Sequence, residues 1–176
     1  MDLLKAILWR RSIRRYKPEP VEQEKILELL KAAVWAPSAG NTQSWRFWVV
    51  KKPELKLELS RACNGQSHVR EASHVILVGF NEDEARRAYG NRGVTLFAIQ
   101  DTAAAIQNLI LRATDLGLGT CWVGSFDEYK TRELLELPRN IKPVALVTVG
   151  YPAEKPESRR KDIKEVVRFT DDQTFI

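Results

Sequence analysis

Residues 35–48 read WAPSAGNTQSWRFW, and the fold turns on how that run is divided. Pro37 disfavours helical geometry in the residue before it, so a helix should end at Ala36. Bulky apolar residues from Trp45 into Val49 and Val50 should open a strand. Between them SAGNTQS is a short polar loop. Gly40 lets the backbone turn sharply or approach a ligand closely. The amides of Asn41 and Gln43 both donate and accept. Such a loop suits the edge of a flat heterocycle with carbonyl and imino groups. A plain helix-to-strand connection has the same composition, so the loop alone leaves both readings open.

Working toward the N-terminus, Ile26, Leu29, Leu30, Ala33 and Val34 recur at helical spacing and predict a helix over 21–35. Before it lies RRSIRRYKPEP, stopped by its prolines. Asp2 can cap a short first helix that carries Leu3, Leu4, Ile7 and Leu8 on one face. The charges follow the apolar residues there, the wrong order for a secretory signal. The expected setting is therefore cytoplasmic.

Toward the C-terminus, 55–62 reads as a short helix, and CNGQ ends it at a glycine. Residues 73–80 are almost continuously apolar and β-branched, as in a buried strand. Residues 81–93 are charged and punctuated by glycine, so they read as loop with at most one helical turn. Residues 95–116 form the longest predicted helix. Asp101, Asn108, Arg112 and Asp115 make one narrow polar stripe on it, and the rest is apolar. The run Ala103 to Ala105 permits close backbone approach, so this is a central core helix or a dimer seam. A strand over 120–126, a helix capped by Asp127 and ending at Leu137, and a strand over 144–149 follow. Residues 151–176 read as an extended arm that includes Val166, Val167, Phe169 and Phe175. The spacing lacks regular βαβ units, so the expected class is α+β, a sheet packed by helices. The whole of 1–176 reads as one domain.

The chain has 176 residues, 44% of them hydrophobic and 29% charged. That is the composition of an ordinary globular protein with a real core. No apolar run is long enough to span a membrane. Cys63 and Cys121 are too few and too far apart for a disulfide framework or a CxxC site. His68 and His74 lack metal-ligand spacing. No GxSxG elbow and no Walker motif occur. GLGTCW lacks the third glycine of a dinucleotide fingerprint and follows a helix instead of a strand. If the protein is an enzyme, a bound organic cofactor should carry the chemistry.

The net charge of +5 raises nucleic acid as a partner. The basic residues cluster at the two ends, over 10–17 and 159–164, which also suits one phosphorylated small molecule. Arg10, Arg11, Ser12 and Arg14 lie close enough to converge on one anion, since guanidinium forks match phosphate oxygens. A solvated basic turn is the plainer reading of the same residues.

Taken in order, RRSIRRY, APSAGNTQSW, the QD of the long helix, GLGTCWVGSFD, GYPAEKP and the following RRK resemble the nitroreductase family of flavin-dependent oxidoreductases. These elements cover almost the whole chain. The resemblance implies bound FMN, NADH or NADPH as co-substrate, and an intertwined homodimer with each flavin at the subunit interface. It also implies a mostly antiparallel sheet flanked by helices. Arg10, Arg11, Ser12 and Arg14 match phosphate-side contacts. Pro37, Ser38, Asn41 and Gln43 match a loop that reaches the other subunit's flavin. Asn64 and Gln66 fall where the family has amides near the ring, and Gly124 and Ser125 match backbone contacts beside it. Arg160 and Lys161 match a C-terminal phosphate contact. The flavin would carry the reaction, with no protein acid or base and no metal. The expected acceptor is a small molecule such as a nitroaromatic or quinone, with no nucleic acid or membrane partner. A flavin-dependent dehydrogenase or a reductive dehalogenase would share the fold. From another class, a basic non-catalytic nucleotide- or nucleic-acid-binding protein is the alternative. Ser44 replaces the proline that usually precedes the tryptophan, and 81–93 is shorter than the flavin-covering segment of larger members.

Overall fold

The computed structural model describes residues 1–169; Phe175 and the end of the expected arm lie outside them. Four strands form one antiparallel sheet in the order β1-β2-β4-β3: β1 is Trp45–Val50, β2 His74–Asn81, β3 Gly119–Val123 and β4 Ile141–Gly150. The expected α+β class is what the chain adopts. Helices cover both faces. On one side α2 (Gln23–Val34) and α6 (Ala98–Asp115) pack over Ile76, Val78, Ala145, Val147 and Val149. On the other side α3 (Pro53–Ala62) supplies Leu59, and α4 (Ser67–Glu71) supplies Val69. These meet Val75, Leu77, Cys121, Val123 and Leu146. Alternate residues of β2 thus feed two different cores, which is why its sequence is apolar throughout instead of alternating.

Helix α5 (Glu82–Arg92) follows β2 directly. The expected loop at 81–93 is therefore a correction. Asn81 caps α5 by accepting from the amides of Asp83 and Glu84, and Glu82, Asp83 and Glu84 lie in the first turn, where the helix dipole favours acid. The glycines do not prevent the helix; they shape its end. Tyr89 and Gly90 leave helical geometry, and a π-turn over Gly93–Phe97 leads into α6. Gly93 is needed there, because a Cβ would collide with the Ala85 carbonyl. Phe80, Ala85, Val94 and Ala98 form a small third core under this turn.

The helical run Glu82–Asp115 is long and apolar enough to cross a membrane by length and composition. Its apolarity is used inside the fold: Ala98, Ala105, Ile106, Leu109, Ile110 and Ala113 of α6 are buried. The polar stripe is used as well. Asp101 accepts from the Ala39 amide, Asn108 donates to the Ala32 carbonyl, and Arg112 pairs with Glu28 and Asp115. It therefore fastens α6 to α2 and to the loop after it. Apolar surface without a partner lies mainly elsewhere, on α1 (Leu3–Trp9), at Trp35, and on the arm that carries α8 (Ile163–Val166).

Two strand limits also differ from the sequence reading. β4 starts at Ile141, ahead of Pro143, and β3 ends at Val123. Pro143 pairs with Gly79 at the bulge between β2 and β4 and lies beyond the reach of β3, so its missing N–H interrupts no ladder on that side. α7 (Glu128–Leu134) is capped by Asp127 as expected and ends before Leu137.

Candidate active site

After α1 the chain runs extended along the outer edge of β3. Ile13 donates its amide to the Thr120 carbonyl at 2.8 Å, and Ser12 bridges Thr120 in parallel. Farther on, Lys17 donates to the Tyr151 carbonyl at 2.9 Å and Ala153 to the Arg15 carbonyl at 2.9 Å. Two glycines permit the close approach: a Cβ on Gly119 would lie 2.9 Å from Ile13, and one on Gly150 2.7 Å from the Tyr16 ring. The Tyr16 hydroxyl shares a 2.7 Å bond with that of Thr148, and burial raises its pKa.

This track brings Arg10 and Ser12 to a cavity of about 400 Å³, with Gln107, Thr120, Trp122 and Arg160 also on its wall. No carboxylate lines it among the described residues. Burial first, then the neighbouring Arg160 and Arg11, lower the pKa of Arg10. Two guanidiniums, from residues 10 and 160, thus share one wall with no carboxylate on it among the described residues. Such a site is completed by an anion. Guanidinium forks, hydroxyls and a carboxamide together match the donor and acceptor needs of a phosphate ester on a polyol chain, so the residues fit FMN.

Arg11 is not on that wall. It donates to the carbonyls of Leu8 at 2.6 Å and Arg10 at 2.9 Å, and with Arg10 it lines a smaller cavity of about 180 Å³ that Glu154 also reaches. Arg14 donates its backbone amide to a Glu154 carboxylate oxygen at 2.5 Å, while its charge helps lower the pKa of His68 in α4, after burial. Neither Arg14 nor the exposed Lys161 lines the Arg10–Arg160 cavity.

A second group forms where α3 meets α4. Asn64 and Gly65 turn the chain with φ of 57° and 75°. Asn64 then donates to the Ser125 hydroxyl at 3.1 Å, and Gln66 to the Ser125 carbonyl at 3.4 Å. Gly124 is exposed, and a Cβ on it would meet nothing, so its backbone is open to a ligand. The strand β3 joins this group to the first, with Thr120 and Trp122 at the cavity and Gly124 and Ser125 just past its end.

The third group is the loop 37–43. Gly40, Asn41 and Gln43 all have positive φ, of 53°, 55° and 51°. For a non-glycine residue that geometry costs about 1–2 kcal/mol, so the loop must be held. Ser38 accepts from the Gln43 amide at 3.1 Å, and Thr42 donates its hydroxyl to the Ala39 carbonyl at 2.6 Å. Gln43 donates to the Asn41 side-chain oxygen at 3.1 Å. The Asn41 NH2 and the Gln43 side-chain carbonyl keep no other partner among the described residues, so the pair presents one donor and one acceptor. From outside, Asp101 accepts from Ala39 at 3.0 Å. Burial raises the pKa of Asp101, and that hydrogen bond partly offsets the rise.

The chain therefore gathers the sequence-marked residues into three groups, and none of residues 37–43 is among the described residues that line the Arg10–Arg160 cavity. Gln107, Thr120, Trp122 and Asp101 were not singled out as site residues from the sequence. Thr120 and Trp122 had a signal: they alternate with the buried Cys121 and Val123, which puts both on one face.

Comparison with known proteins bears on the family and the fold. The model of the family described as "Nitroreductase family" matches residues 7–151. An NADH dehydrogenase of Thermus thermophilus is 33% identical over 195 residues, covering 95% of each chain. An FMN reductase [NAD(P)H] of Bacillus subtilis is 28% identical, covering 94% of this chain and 72% of that one. The crystal structure of a nitroreductase family protein from Streptococcus pneumoniae superposes with a TM-score of 0.88 at 24% identity, covering 96% of this chain and 100% of that one, which bears on the fold. A family match across most of the chain, on an antiparallel sheet with helices on both faces, leaves one assignment: this chain is a member of the nitroreductase family of oxidoreductases.

Proposed function

We propose that the protein is an FMN-dependent NAD(P)H oxidoreductase that delivers hydride equivalents to a small acceptor such as a nitroaromatic or quinone. The observation that carries the reading is the pair Arg10 and Arg160 with Ser12 on one cavity that no carboxylate lines among the described residues. Arg10, Ser12 and Arg160 would bind the phosphate. Asn64, Gln66, the Gly124–Ser125 backbone, Asn41 and Gln43 would orient the ring through its polar edge. When bound, FMN supplies reversible two-electron chemistry, which the side chains themselves lack. NAD(P)H and the acceptor would use one place in turn, a ping-pong scheme. The FMN reductase name of a relative supports the cofactor and the nicotinamide.

The same reading includes a homodimer in which the loop 37–43 of one chain completes the site on the other. In a single chain none of residues 37–43 lines the arginine cavity, and α1 and the arm expose Leu3, Leu4, Leu8, Val166 and Phe169. A single FMN-binding domain in the cytoplasm goes with it; buried free thiols at Cys63 and Cys121 fit a reducing compartment.

The experiment is reconstitution. Protein mixed with FMN and freed of excess should retain visible flavin absorbance, and anaerobic NADH or NADPH should bleach it. A nitroaromatic or quinone should restore the colour. Retained FMN that neither nicotinamide bleaches would point to a non-catalytic flavin-binding protein. Failure to retain FMN would sink the proposal.

A further inference from the structure

We propose that Tyr89 is a positioning residue for the 38–43 loop and, through it, for the flavin; the second part rests on the reading just given. Three consecutive features of α5 and its exit turn put Tyr89 there. The helix breaks at Tyr89 and Gly90, with φ of −143° and 58°. The π-turn then brings Phe97 back, so that the two rings meet edge to face at 5.2 Å. Arg92 lies over the Phe97 ring at 5.3 Å from its centroid. Held in this way, the Tyr89 phenol stands against Gly40. A Cβ on Gly40 would collide with the phenol oxygen and lie 3.2 Å from the ring carbon that bears it.

Gly40 begins the left-handed run that aims Asn41 and Gln43. Within that run only short local hydrogen bonds act, so its direction depends on what it leans on. Outside supports are few. Asp101 holds Ala39, Asn81 donates its amide to the Ser44 carbonyl at 2.8 Å, and Arg46 donates to the carbonyls of Gln43 at 3.5 Å and Ser44 at 3.4 Å. Arg46 is itself held by Glu84 of α5 at 2.5 Å. α5 therefore supports the loop at both ends, through Tyr89 at Gly40 and through Glu84 and Arg46 at Gln43. The phenol is the part that touches the turning residue. Tyr89 is 42% exposed, so it contributes little to the core. Its ring is in place for the loop rather than for packing.

The test uses Tyr89→Phe, Tyr89→Ala, Tyr89→Leu, Gly40→Ala and the double variant Gly40→Ala/Tyr89→Ala. Two quantities are read: amide exchange of residues 39–44 in the FMN-free protein, and the FMN dissociation constant from flavin fluorescence. Tyr89→Ala should speed exchange at 39–44 and weaken FMN, each by about tenfold, a coupling typical of side chains in contact. Tyr89→Phe keeps the ring but removes the oxygen nearest Gly40, and should fall between the parent and Tyr89→Ala. Tyr89→Leu fills volume without reaching Gly40 and should behave as Tyr89→Ala does; it carries the test if the alanine variant fails to fold. Gly40→Ala brings left-handed strain in any background, but a collision only where the phenol is present. Its loss of FMN affinity should therefore be several-fold smaller in the Tyr89→Ala background. Additive losses, or parental exchange at 39–44 in Tyr89→Ala, would overturn the proposal. If the parent protein binds no FMN, the flavin reading falls, and the exchange measurement alone decides whether Tyr89 braces the loop.

Discussion

Arg10 carries more of the candidate site than any other residue, and its role is open to a selective test. Its guanidinium is part-buried beside Arg160, and a bound phosphate would relieve that repulsion. A charge-assisted hydrogen bond contributes about 1.5–3 kcal/mol. Arg10→Ala should then weaken FMN by roughly tenfold to a hundredfold, while riboflavin, which has no phosphate, should change little. Equal losses for both ligands would remove Arg10 from the phosphate site. Asp101 offers a second test. Its pKa is raised by burial, so the ionised form opposes folding. The sign follows from linkage: the stability tied to its protonated form is full below the unfolded carboxylate range and is lost as pH rises through the raised folded value. Asp101→Asn keeps an oxygen for the Ala39 amide and removes the charge. Its melting temperature at pH 7 should equal or exceed the parent's, whereas Asp101→Ala should lower both melting temperature and FMN affinity. The histidines act the other way. Burial lowers the pKa of His68 and His74, so stability should fall as pH drops below the ordinary histidine range of about 6.5. A melting temperature that is flat or rising between pH 7.5 and 5.5 would contradict this.

At the scale of elements, the site depends on a backbone track that the sequence marks only by small residues. The 10–17 segment lies against β3 and the end of β4 because Gly119 and Gly150 leave room for Ile13 and Tyr16. Gly119→Val should therefore lift this segment, at a cost typical of overpacking, about 1–3 kcal/mol. FMN affinity should fall with it, since Arg10 and Ser12 ride on the segment; thermal unfolding and flavin titration read the two effects. The same contrast explains what was legible beforehand. Strands β1 and β2 and helices α2 and α6 carry strong apolar patterns, and all four were readable from period and composition. The helix α5 was not, because its charge and its glycines resemble a loop. What makes it a helix is the Asn81 cap and the acidic first turn, and what makes it useful is the break at Tyr89. Pro143 likewise hid the start of β4, because its tolerance depends on a neighbouring strand that ends early. In the site, residue types were readable as motifs, but their grouping was not. Arg11 and Arg14 are close in sequence to Arg10 yet do not line the cavity it shares with Arg160, and Gln107 and Trp122 join Arg10 there only through tertiary packing.

For the whole molecule, the loop 37–43 does not line the arginine cavity of its own chain, which suits the proposed dimer, where the loop of one chain would meet a flavin held by the arginines of another. The apolar side chains left uncovered point the same way. Trp35 is 84% exposed, at the end of α2 next to the loop, and Leu3, Leu4 and Leu8 of α1 lie open near the cavity that Ile7 helps line. A patch of this kind on a two-fold axis would meet its own copy. Sharing can be tested by mixing two inactive variants. One carries Arg10→Glu, which should spoil the phosphate side of its own chain. The other carries Asn41→Asp and Gln43→Glu, which should spoil the loop it offers to a partner. In a refolded mixed dimer, one site then unites both damaged parts and the other unites both intact parts. Activity per mixed dimer should return to about half that of the parent, an expectation from two-fold symmetry. Mixed dimers seen by mass spectrometry that stay inactive would mean that each loop serves its own chain's flavin.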